Sequence, residues 1–426
     1  MDCDVAIIGG GPAGAAAALT LRKRPDISVV VVERGSYATP KIGESLSPGT
    51  RALLQYLGVW ERFQRDQTLR LFGSEAAWGQ DALGSMDFML TTHGAGWALD
   101  RRQFDEMLAE EAARAGAKLR TGTRVKGCER LEDGWRIETD QGALTARYVI
   151  DAGGRASPFA LATGAQRQRN DALTAIFARL PRSYTAPQMS RVESVEHGWW
   201  YGAPLPSGET ILCLFADAEG VHRLGLSAPD VWMQHLAQTR HISAMAKPPT
   251  APPKLEVQSA FSALLTGHDA SIPLIATGDA MAARDPLSSS GIPNAIGGGI
   301  QAARVAADYL FGDGQLRQGY LHSVTLDHQA YLRTHWATYA REARWPDAPF
   351  WRFRTARVTR APEIAVRQAP GAQSSIFVPG PVAAWIAEAA RTPLRQVDLA
   401  RAARATFPDL ADDRLLLAIE DLTQPA

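Results

Sequence analysis

Residues 5–34 read VAIIGGGPAGAAAALTLRKRPDISVVVVER, and few folds admit such a stretch. The apolar run Val5–Ile8 reads as a buried strand. Gly9, Gly11 and Gly14 fill a GxGxxG pattern directly after it. Pro12 suits the first helical turn, where its missing N–H costs nothing. Ala13 and Ala15–Ala18 then continue a helix thin enough to pack closely on a sheet. Val29–Val32 reads as a second buried strand, ending at Glu33 and Arg34. In such a strand–turn–helix–strand unit the first glycine permits the tight turn, the second lets a pyrophosphate approach the backbone, and the third lets helix and strand touch. The pyrophosphate meets the N–H groups and positive dipole end of the helix around Pro12 and Ala13. Glu33 is placed to accept a ribose hydroxyl. The full context makes the motif specific, and it predicts a dinucleotide site.

The remaining composition mostly excludes. Lys+Arg and Asp+Glu both number 45, so no charge bias points to nucleic acid or a membrane surface. No apolar run approaches the roughly 20 residues of a bilayer span. A strand entered at residue 5 leaves no room for a signal peptide, and the expected location is the cytoplasm. Cys3, Cys128 and Cys213 are unclustered, and the histidines form no HxxxH or HExxH pair, so no metal site is expected.

Periodicity predicts helices over 51–66 and 102–116, the second stopped by Gly116. Residues 118–149 alternate as a β-meander. Residues 170–260 read as a mostly antiparallel sheet with one helix near 229–239. Ile272–Ala276 reads as a further buried strand, and an Ala-rich helix is expected from Gly297. Pro248-Pro249 and Pro252-Pro253 read as a linker, and from about 320 the pattern is helical to the end. The expected fold is α/β (α+β): a Rossmann-like domain (1–75, 97–168, 255–320), an inserted antiparallel-sheet substrate domain (76–96, 169–254) and a helical C-terminal region (321–426).

Further segments carry a family likeness: Lys41–Pro48 (KIGESLSP), Trp97–Asp105 (WALDRRQFD), Asp151–Ser157 (DAGGRAS), Thr277–Ala280 (TGDA) and Asp285–Ile292 (DPLSSSGI). In this order, after the Gly-rich turn, they resemble the FAD-dependent monooxygenase superfamily with the para-hydroxybenzoate-hydroxylase-type fold, in the branch holding flavin-dependent halogenases and geranylgeranyl reductases. The resemblance implies FAD, held by Gly9, Gly11, Pro12, Ala13, Gly14, Glu33, Arg34, Ser45, Arg101, Val125, Asp279, Pro286, Ser290, Gly291 and Ile292. Asp279, at a strand end, suits a ribitol hydroxyl. The Gly/Ser-rich residues 286–299, preceding a helix, suit the flavin N1–C2=O2 edge, where reduced flavin is negative. Arg101 reads as a cation for the FAD phosphates or ribose, or as a solvated charge at a helix start. Val125 reads as an adenine contact through its backbone, or as strand core. His197–Pro206 (HGWWYGAPLP) resembles the halogenases' WxWxIP segment imperfectly, and Trp199 and Trp200 read equally well as sheet core.

Halogenases carry a lysine near position 71 of this chain. No lysine lies between Lys41 and Lys118, and arginine does not replace it, which counts against halogenation. With no second GxGxxG, NAD(P)H has no domain of its own, so it or a separate reductase is expected to reduce the flavin, with O2 as cosubstrate. The implied reaction is hydroxylation of an aromatic ring through a flavin C4a-hydroperoxide, which needs a dry site and a general base. Glu44 and Asp285 are the catalytic candidates; their plainer roles are orienting the flavin loop and capping a turn. Trp78-Gly79, the DPLSSSGI loop, the missing lysine and the helical tail make the chain similar to flavoprotein monooxygenases that modify peptidyl tryptophan in tryptophylquinone biogenesis, as in quinohemoprotein amine dehydrogenase maturation. The implied partner is a tryptophan-containing protein subunit. Residues 333–360 interleave Arg333, Arg341, Arg344, Arg352, Arg354, Arg357 and Arg360 with Trp336, Trp345, Phe350, Trp351 and Phe353, a composition suited to a docking surface or to an amphipathic helix. The alternatives are a tailoring enzyme for small indoles or phenols, a geranylgeranyl-reductase-like saturase, and a flavin-bearing assembly factor.

Overall fold

The first sheet grows from the valine-rich runs. In the computed structural model, β1 (Cys3–Ile8), α1 (Pro12–Leu21) and β2 (Val29–Val32) form where the sequence predicts them. The structure describes residues 1–426 except 40, 67–68, 89–93, 268, 270, 359–364, 370, 372–373, 376–377, 411 and 426. β1 lies between β2 and β3 (Gly142–Asp151), parallel to both, with Ile8 opposite Val32 and Asp151. Gly9, Glu33 and Ala152 therefore emerge side by side at the carboxyl edge, where open α/β sheets bind ligands. Leu274–Ala276 pairs with the end of β3, while Gly134–Thr139 and Val125–Leu131 form a meander on its first half. Lys118–Arg120, expected in that meander, instead runs parallel to β2.

A second sheet contains β4 (Gly198–Pro204) and β5 (Glu209–Asp217), antiparallel neighbours. Leu173–Pro181 and Glu256–Ser259 extend it on one side, and Met189–Val195, Gly73–Ala77 and Gly84–Asp87 on the other. Both faces are covered. Trp200, Leu212 and Leu214 pack with Trp232 of the helix Pro229–Ala237. Trp199, Ile211, Cys213 and Phe215 lie on the opposite face, as the two-residue strand period requires.

Several elements differ from expectation. Residues 51–66 form two helices, Arg51–Leu57 and Trp60–Asp66, because Gly58 turns left-handed (φ 77°) and caps the first. An additional helix, Ala218–Leu224, follows β5. The Ala-rich helix α2 (Gly291–Phe311) begins six residues before Gly297. Pro293 is tolerated in its first turn, and a Cβ at Gly299 would collide with the Ala13 carbonyl, so glycine there allows α1 and α2 to touch. α3 (Leu316–Ala340) and the helix Pro349–Val358 follow.

The aromatic tail turns inward. Trp336, Phe350, Trp351 and Arg354 are buried, and Arg354 forms a two-pronged ion pair with Asp217 (both 2.8 Å) over the Phe350 ring. These four residues are core rather than a docking surface; Arg360 lies outside the described residues. The chain divides into two compact units, Met1–Arg354 and Thr355–Ala426. The second has its own apolar core around Val382, Ile386, Leu399 and Ile419. It contains three short strands as well as helices, a departure from the all-helical expectation; strands of two to four residues leave little periodicity to read.

Candidate active site

A cavity of about 530 Å³ opens at the carboxyl edge of the first sheet, beneath the second. This is within the range of small-molecule sites. At one end Gly9, Gly11, Pro12 and Ala13 line it. A Cβ added at Gly11 would meet no protein atom within 4 Å, whereas one at Gly14 would collide with the Gly9 carbonyl. Gly11 thus leaves room for a ligand, and Gly14, which does not line the cavity, permits close packing.

Glu33 reaches the wall and also braces the turn. Its Oε2 accepts the Gly10 N–H (2.7 Å) and its Oε1 the Gly35 N–H (2.8 Å). Arg34, Val125 and Arg101 also line the cavity. Arg101 is committed within the protein, donating to the Ile42 carbonyl (2.7 Å) and to Asp105. Asp279 lines the wall with one carboxylate oxygen on Arg155 (2.6 Å). Asp151 organises its own loop: it accepts from the backbone N–H groups of Gly153, Phe159 and Ala160.

Pro286, Gly291 and Ile292 line the cavity, so the N-terminus of α2 faces it. Ser290 does not; its hydroxyl is engaged with Ser288 (2.8 Å) and Asn294 (3.0 Å). A glycine-lined turn open to the cavity, a carboxylate at the end of β2 and a second helix N-terminus suit an adenine dinucleotide with a flavin, so these residues fit FAD.

The other end is aromatic. Trp199 and Phe215 stack at 4.0 Å, and with Tyr201, Ile211 and Cys213 they form the roof. The Tyr201 hydroxyl meets Ser45 Oγ at 2.6 Å. Next to Ser45, Glu44 is buried; its Oε2 accepts the Gly43 N–H (2.8 Å), and its Oε1 has no hydrogen-bond partner among the described residues. Burial pushes its carboxyl up to about 7. Asp285, also at the wall, is pushed by burial to about 6, with hydrogen bonds from the Leu287 N–H and the Tyr339 hydroxyl pulling the other way. Both catalytic candidates therefore border the cavity and can change charge near neutral pH. Sequence reasoning missed Tyr331, His335 and Tyr339, which surround Asp285. Their spacing of four residues on α3 was the available signal. Among the described residues, no cluster of His, Cys, Asp or Glu could hold a metal, and no helix is long and apolar enough to cross a membrane.

The family model described as "FAD binding domain" matches residues 2–213. LodB from Marinomonas mediterranea, provisionally named an FAD-dependent oxidoreductase, is 32% identical over 363 residues, covering 83% of this chain and 97% of LodB. The chain belongs to the FAD-dependent oxidoreductases, with LodB as a relative along most of its length. This flavin enzyme also shares its fold with solved structures. CmlS, described as a flavin-dependent halogenase, superposes with a TM-score of 0.76 at 22% identity over 96% of this chain and 78% of CmlS. QhpG, described as a peptidyl tryptophan dihydroxylase essential for tryptophylquinone cofactor biogenesis, gives 0.68 at 24% identity over 83% of this flavoprotein and 79% of QhpG.

Proposed function

We propose that this flavoprotein is a monooxygenase that hydroxylates an aromatic ring, and that the ring is a tryptophan side chain within a protein or peptide, modified during quinone cofactor biogenesis. The observation that carries this reading is the aromatic roof of Trp199, Tyr201 and Phe215 over a cavity that also holds Glu44, a carboxyl able to ionise near neutrality. FAD, when bound and reduced by NAD(P)H or a separate reductase, supplies the activation of dioxygen.

The chain's own residues do the rest. The roof excludes water and presents flat apolar faces on which an indole can lie. Glu44, as carboxylate, accepts the indole N–H proton and makes the ring more nucleophilic. The base must be ionised, so the rate rises with pH through about 7. The description of QhpG supports a peptidyl tryptophan substrate.

Halogenation is disfavoured by one detail. Among the described residues that line the cavity the single lysine is Lys41, and it is paired with Asp105 at 2.8 Å.

The test is a pull-down from the source cells, followed by peptide mass spectrometry of whatever binds. The expected product carries one or two added oxygen atoms on tryptophan, only when this protein and dioxygen are present. A halogenated product, or turnover confined to free indoles or phenols, would overturn the peptidyl hydroxylation reading.

A further inference from the structure

Three side chains of α3 converge on Asp285. The Asp285 N–H donates to the Tyr331 hydroxyl at 2.8 Å, His335 Nε2 lies 3.9 Å from Asp285 Oδ2, and the Tyr339 hydroxyl donates to the same oxygen at 2.8 Å. The Tyr339 oxygen in turn accepts the indole N–H of Trp199 at 2.8 Å. Asp285 and Trp199 both line the cavity, one beside the N-terminus of α2 and the other on the roof; Tyr339 stands behind them, fully buried.

We propose that Tyr339 is a positioning residue that ties the floor of the FAD cavity at Asp285 to its roof at Trp199, and that the tie holds while Asp285 is a carboxylate. The direction of the hydrogen bonds in the structure, Trp199 to Tyr339 to Asp285, is the one a carboxylate acceptor sets. An indole N–H can only donate, so the Tyr339 oxygen must accept it. The single Tyr339 proton then needs an acceptor, and Asp285 Oδ2 provides one while Oδ1 holds the Leu287 N–H. A proton on Oδ2 removes that acceptor, so the Tyr339 hydrogen must turn away and the charge-assisted bond is lost.

The groups facing this carboxyl are Tyr331, His335 and Tyr339 from α3, Arg354 from the helix Pro349–Val358, Arg155 from the loop after β3, and Asp171 before the strand Leu173–Pro181. Burial raises the carboxyl and the Tyr339 bond lowers it, leaving it at about 6. The charge-assisted tie between floor and roof is therefore present above that pH and lost below it. The inference rests on FAD occupying the cavity and not on the identity of the substrate.

The holoenzyme's flavin absorbance, titrated with no substrate present, tests it. The wild type is expected to show a transition near pH 6. Tyr339→Phe should keep FAD at full occupancy and move the midpoint up by about one pH unit, a tenfold gain in proton affinity, because a hydrogen bond to the charged form is lost. Trp199→Phe should move it the same way by less, since the indole N–H polarises the tyrosine hydroxyl; it carries the test if Tyr339→Phe does not fold. Asp285→Asn should abolish the transition. A wild type without a transition, an unchanged midpoint in both substituted proteins, or a transition surviving Asp285→Asn would each overturn the proposal.

Discussion

A methyl group at position 11 and one at position 14 would meet different surroundings. The first would project into the cavity and touch no protein atom, and the second would strike the Gly9 carbonyl. Gly11→Ala is therefore expected to leave circular dichroism and thermal unfolding of the apoprotein unchanged while FAD is lost, so the purified protein is colourless. Gly14→Ala is expected to lower stability itself, by about 1–3 kcal/mol for an overpacked contact. Retention of FAD by the first, or an unaffected melting curve for the second, would contradict these roles. Glu44 supports two separable expectations. As a general base it should contribute about 10²–10⁴ in rate, and Glu44→Gln should remove both that factor and the fall in activity below pH about 7. Its folded-state carboxyl also lies above its ordinary value of 4.5. Its contribution to stability is thus full below 4.5 and is lost as pH rises through 7. At pH 8 the glutamine protein should be the more stable by about 1–3 kcal/mol, measured by denaturant unfolding.

The helix Pro349–Val358 is fastened to β5 by Arg354, which is fully buried and paired with Asp217. Asp217→Ala would leave that cation uncompensated and should lower stability by about 3–5 kcal/mol, read as a drop in denaturant midpoint at constant slope. The same elements show what the sequence could and could not convey. β1, α1 and β2 were legible because the motif, the alanine run and the valine run each impose the same local structure. Most of the residues that the family resemblance singled out for FAD line the cavity, because their segments end at the carboxyl edge of the first sheet. The start of α2 was not, because glycine and proline ordinarily interrupt helices; here Pro293 falls in the first turn and Gly299 is needed against Ala13. The arginine–tryptophan tail has the composition of an interface, yet Trp351 and Arg354 are core. Composition records which groups are present, and burial depends on partners such as Asp217 that lie more than a hundred residues away. The cluster around Asp285 was hidden for that reason too, since Tyr331 and Tyr339 reach it across some 50 residues of chain.

At the scale of the whole molecule, ligand and fold are linked. FAD that binds the folded chain and not the unfolded one should stabilise it by about 2.7 kcal/mol at a hundredfold excess over Kd. Calorimetry at rising FAD concentration should show Tm climbing with it, and a Tm independent of FAD would deny that the cofactor is part of the folded state. The first sheet is collected from distant stretches of chain, from β1 at Cys3–Ile8 to the strand Leu274–Ala276, and the cavity closes only with the start of α2 at Gly291. A ribosome making this protein thus displays the glycine-rich turn almost at once but cannot offer the flavin a home until nearly 300 residues have emerged, roughly 15–60 s later at about 5–20 residues per second. By residue 151 the valine strands already have their neighbours in β3 and Lys118–Arg120, so for the second half of that interval the nascent chain holds most of a sheet whose ligand site is still open.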